Sequence, residues 1–144
     1  MKRSIADARR ALEEDLIPNS SDHVAKQARQ ELAANEQKAK QHADGYVGER
    51  EAEILTMRDA ALRALTETRD ELDALAAQGR EARIPTAEYT QHLRELSQRK
   101  DRAEDALSQC EELTDRLGEI EADPCRWFDA LTARMPGLIL DWSW

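Results

Sequence analysis

Along most of the chain, apolar side chains recur at steps of three and four among polar ones, the spacing of one face of an α-helix. Ile5, Ala8, Leu12 and Leu16 form the first such stripe, and Pro18-Asn19-Ser20-Ser21 ends it. A short amphipathic helix over roughly 3–16 is expected, with Ser21 or Asp22 capping the helix after it. From 23 to 44 the chain is rich in Ala, Gln, Lys and Glu, with only Val24, Ala28, Leu32 and Ala39 on an apolar stripe. A helix with so thin a face either bridges solvent or needs something to cover it. Gly45-Tyr46-Val47-Gly48 comes next. Each glycine costs about 1 kcal/mol relative to alanine inside a helix, which predicts an interruption with a bend there.

The pattern then strengthens. Ile54, Met57, Ala61, Leu62, Leu65, Leu72 and Leu75 line one side of a segment over 49–78, with a weak spot at Thr68 or Arg69. Gly79 reads as a C-cap, and Ile84-Pro85-Thr86 as a turn and a fresh start. Tyr89, Leu93, Leu96, Lys100, Ala103, Leu107 and Cys110 alternate steps of four and three, a heptad seam with a lysine at one core position. Leu113, Leu117 and Ile120 continue it after two successive steps of three, a slip that overwinds a coiled coil locally. One helix through the turn is rejected, since Pro85 would cost it about 3 kcal/mol. Two arms of similar length joined by a short turn predict an antiparallel hairpin. Asp123-Pro124 supplies an N-cap and a first-turn proline for a short helix with Trp127, Phe128 and Leu131. Met135-Pro136-Gly137 stops that helix, and Leu138 to Trp144 close the chain.

The predicted fold is all-α: a long antiparallel coiled-coil helical hairpin (21–122, bend near 45–48, turn near 79–86), an N-terminal amphipathic helix (1–18) and an aromatic C-terminal tail (123–144). Composition agrees, because Ala, Glu, Leu, Arg and Lys make up 77 of the 144 residues. Leu, Ile, Val and Phe number only 25, which keeps disorder in play until periodicity decides for helix over 49–122 and leaves 23–44 marginal. With 8 Val plus Ile, a sandwich or barrel of many strands is excluded.

The net charge of −9 disfavours binding to phosphate backbones, and most of the acidity sits between Glu104 and Asp123. Lys2, Arg3, Arg9 and Arg10 make the first helix basic, so it is expected to lie against that acidic segment. The cations from Arg80 to Arg102, Arg83 among them, are interleaved with carboxylates, as on a solvated helix face. Cys110 and Cys125 make no disulfide framework. No hydrophobic leader opens the chain and no apolar run could span a bilayer, so a cytoplasmic setting is expected and membrane binding is not. His23, His42 and His92 share no metal-ligand spacing, and neither phosphate-binding glycine loops nor nucleophile motifs occur. No catalytic, cofactor-binding or metal-binding residue is assigned, and an enzyme is not expected.

The stretch from Gly79 to Tyr89, leading into the Leu93–Leu107 seam, resembles hairpin segments of large serine recombinases. It covers less than a third of the chain and assigns no residue here. All 3 tryptophans and the single phenylalanine fall in the last eighteen residues. Large aromatic side chains dominate interface energetics. The expected function is therefore a protein–protein interaction module, an assembly, scaffold or adaptor factor, docking through Trp127, Phe128, Leu131, Leu138, Ile139, Trp142 and Trp144. Self-association, as a dimer, is expected because Leu32, Leu55 and the tail leave apolar surface that one hairpin cannot cover. The alternative is an accessory protein in DNA transactions that acts on a DNA-processing partner.

Overall fold

A computed structural model describes residues 3–16, 22–81, 84–138, 140–142 and 144, without the side chains of Asp15, Leu16 and Pro136. Lys2, the break at Pro18–Ser21, Arg83 and Ile139 lie outside the described residues. Helix α1 (Ile5–Arg10) continues as a π-helical stretch, Ala11–Leu16, so the last turns of the predicted first helix are wider than α. Helix α2 is Asp22–Arg80, α3 is Thr86–Ala122 and α4 is Pro124–Arg134, followed by a 3-10 turn, Pro136–Leu138. The chain is all-α. Among the described residues no helix is long and apolar enough to cross a membrane.

Two compact units share the long helices: Met1–Glu49 with Leu117–Trp144, and Arg50–Arg116. The first unit has one core. Ile5, Ala8 and Leu12 of α1 pack with Ala28, Leu32 and Ala39 of α2 and with Phe128, Leu140 and Trp142 from the C-terminal part. The N-terminal helix and the aromatic tail, separate segments by sequence, thus bury their apolar faces together. A helix as short as α1 is not stable alone in water, so this burial is what orders it. The same core covers the thin stripe of α2. Leu32, expected to remain as uncovered surface, is buried.

In the second unit the buried positions are Ala61, Leu65, Thr68 and Leu75 on α2 and Leu96, Ala103 and Cys110 on α3. Contacts between the helices pair rising with falling residue numbers, which makes the unit antiparallel. Arg99 Nη1 lies 2.7 Å from Glu71 Oε2, and the Cys110 thiol points at the Ile54 carbonyl at 3.9 Å. Gly79 lies inside α2 rather than beyond its end, so it is not the predicted cap. A Cβ there would come within 2.6 Å of the Tyr89 ring, and close approach is what the glycine permits.

The weak spot in the α2 stripe is Thr68, which is fully buried. Its hydroxyl donates to the Ala64 carbonyl one turn back (2.6 Å), which removes the cost of an unpaired buried donor. Lys100 is half-buried, with its ammonium 3.8 Å from Glu104 Oε1 one turn further on. Met57 and Leu62, expected on the stripe, are 37% and 42% exposed, and Leu93 is 40% exposed. The register explains Leu62: Ala61 takes the inward position, and the next residue points about 100° further round the helix.

The predicted interruption at Gly45–Gly48 does not occur, since α2 is helical throughout. Ala43 and Val47 are buried beside the glycines, and Tyr46 lies against Trp127, so tertiary contacts outweigh the unfavourable propensity. A Cβ at Gly45 or Gly48 would meet nothing within 4 Å. Gly45→Ala and Gly48→Ala are each expected to stabilise the protein by about 0.5–1 kcal/mol in urea denaturation. Phe128→Ala, which empties the centre of the first core, is expected to cost about 3–5 kcal/mol in the same assay.

Candidate interaction surfaces

The tail is positioned by α4. Asp123 Oδ1 accepts from the Arg126 amide at 3.2 Å, and Pro124 begins the helix where a missing N–H costs nothing. This start sends Phe128 inward, its ring 5.2 Å from that of His42, and sets the Trp127 ring 5.1 Å from that of Tyr46. Asp129 meets the N-terminus of α1. Its two carboxylate oxygens accept from the amides of Ile5 (2.7 Å) and Ala6 (3.0 Å), while Ser4 Oγ accepts from Asp7 (3.0 Å). Three amides that α1 cannot satisfy internally are thereby paired, with negative charge at the positive end of the helix.

The last residues close over the same helix. The Trp142 indole N–H donates to the Arg3 carbonyl at 2.8 Å, and the Arg3 guanidinium sits 4.6 Å above the Trp144 ring. Trp142 and Trp144 meet edge to face. Among the described residues, Trp144 Nε1 is buried and meets no acceptor. Of the residues predicted to dock a partner, Phe128 (0% exposed) and Trp142 (7%) are inside the core. Trp127, Leu131, Leu138 and Trp144 are half-buried, and Ile139 lies outside the described residues.

Arg9 and Arg3, two cations of the basic N-terminal segment, have partners within the first unit. Arg9 Nε pairs with Glu36 of α2 at 3.0 Å, and Arg3 stacks on Trp144. Arg9 also donates to Cys125 Sγ at 3.5 Å. The hydrogen bond to Glu36 raises the Arg9 pKa against the opposing effect of burial. Burial raises the Cys125 pKa, Glu36 and Asp123 push the same way, and Arg9 opposes them. Among the described residues no group of three or more His, Cys, Asp or Glu is placed to hold a metal ion.

A second surface lies on the second unit. Ile54, Leu55 and Leu62 of α2 face Leu107 and Cys110 of α3 across a groove of about 790 Å³, rimmed by Glu51, Arg58, Glu111 and Asp115. Periodicity marks Leu55 as uncovered surface but does not mark the groove. The signal was available, since Leu55 and Leu62 are seven residues apart and one position off the buried register. Asp129 was missed altogether. Its only trace is a carboxylate directly after Trp127 and Phe128 on a short helix.

Asp129→Ala is expected to cost about 1–2 kcal/mol and to speed amide hydrogen exchange at Ile5 and Ala6, with Asp129→Asn intermediate. In iodoacetamide labelling, the rate–pH midpoint of Cys125 is expected above that of a short cysteine peptide, and a midpoint at or below it would contradict the upward shift. No known protein family, no curated protein and no solved structure matches the chain.

Proposed function

We propose that the chain is a non-enzymatic protein–protein interaction module, an assembly, scaffold or adaptor factor, whose paired long helices form a coiled coil that presents its contact surfaces. The carrying observation is apolar surface left open on the second unit. Leu55 is 56% exposed and Leu62 42% exposed beside the groove they line. A contiguous apolar patch with a charged rim is what a helix-binding surface requires. Burial at Ala61, Leu65, Thr68 and Leu75, at steps of four, three and seven, supports the coiled-coil packing.

The tail contributes an edge. Trp127, Leu131, Leu138 and Trp144 stay half-exposed, backed by the buried Phe128 and Trp142, and this edge is the second docking element of the proposal. Carboxylates of the groove stand on its exposed rim, where water screens them, whereas acid–base chemistry calls for a shielded site.

The test compares wild type with Leu55→Asp/Leu62→Asp and with Leu131→Asp, by light scattering and by affinity capture with identification of retained proteins. Wild type is expected to self-associate or to retain a defined protein saturably, with at least one variant weakening that binding by about tenfold or more. A wild type that stays monomeric and retains no protein saturably overturns the proposal.

A further inference from the structure

We infer that the groove of the second unit seats the same groove of a second copy of this chain, related to the first by a two-fold axis and running antiparallel. This rests on the interaction-module proposal and names its partner. Glu51, Leu55, Arg58 and Leu62 recur at steps of four, three and four, so they share one face of α2, and all four line the groove. That face has a direction. Its Glu51 end is joined across the groove by Glu111 and Asp115 of α3, whereas Arg58 supplies the positive charge further along. Leu55 stands between the two ends, four residues from Glu51 and three from Arg58.

A two-fold interface repeats every contact, because each copy presents the same patch. With the axis near Leu55, Arg58 of each copy meets the acidic end of the other, and the two Leu55 side chains meet at the centre. A parallel arrangement would set guanidinium against guanidinium and acid against acid. The surface is thus complementary to itself in one orientation only. Carboxylates still outnumber guanidiniums on the paired faces, so apolar contact holds the dimer and charge sets its orientation.

The closing experiment uses the full chain. Sedimentation equilibrium of wild type is expected to give about twice 16.4 kDa. Leu55→Asp, Glu51→Arg and Arg58→Glu, each on an exposed side chain and each checked for unchanged helicity, are expected to weaken self-association by about tenfold or more. An equimolar mixture of Glu51→Arg with Arg58→Glu is expected to recover a mixed dimer, because the reversed charges again face opposite signs. Failure of the mixture to associate overturns the antiparallel orientation. A wild type that stays monomeric while retaining another protein overturns the second copy as occupant but leaves the module reading intact. A dimer that none of the variants weakens overturns this groove as its interface and likewise leaves that reading intact.

Discussion

The carboxylate of Asp129 links the two ends of the first unit. Helix α1 has too few residues to hold itself, and its leading amides have no partners within it. Asp129 accepts from two of them, and it can do so only because α4 is fixed by Asp123, Pro124 and the buried Phe128. Once α1 is seated, Ile5, Ala8 and Leu12 cover the alanine-rich stripe of α2, which has no large side chain except Leu32 to offer. The long helix is therefore ordered here through a contact made by residues near the other end of the chain. Losing the clamp would leave the amides of Ile5 and Ala6 unpaired, a cost of about 1–2 kcal/mol that adds to the apolar burial ordering α1.

The second unit is held differently. Its seam is lean, with alanine at two buried positions and a threonine that satisfies its own hydroxyl within the helix. The Arg99–Glu71 ion pair is half-exposed, and such pairs contribute about 0–1 kcal/mol, so packing along the seam supplies most of the stability. A two-helix unit buries one stripe per helix. Side chains one position off the register, such as Leu62, then have nowhere inward to go.

Periodicity and capping chemistry made the helices legible. Asp123-Pro124 marks the start of α4, and Pro85 separates α2 from α3. Neither signal says which stripe meets which. Choosing between Ala61 and Leu62 as the inward residue depends on the facing helix, and hydrophobicity alone favours the wrong one. The glycines at 45 and 48 are penalised by propensity, yet the buried Ala43 and Val47 beside and between them keep the helix intact. Of the candidate surfaces, the aromatic cluster was visible as composition, but composition does not separate a core from an interface. That distinction came from α1, whose apolar face Phe128 and Trp142 cover.

The distribution of aromatic residues has an optical consequence. Trp127, Trp142 and Trp144 all belong to the first unit, and the second has Tyr89 alone in place of any tryptophan. Tryptophan emission is therefore a reporter of the first unit only, while the helical signal in the far ultraviolet is shared by both. The protein carries a built-in separation of probes: a melt followed at tryptophan wavelengths and one followed by helicity coincide only where the two units unfold together.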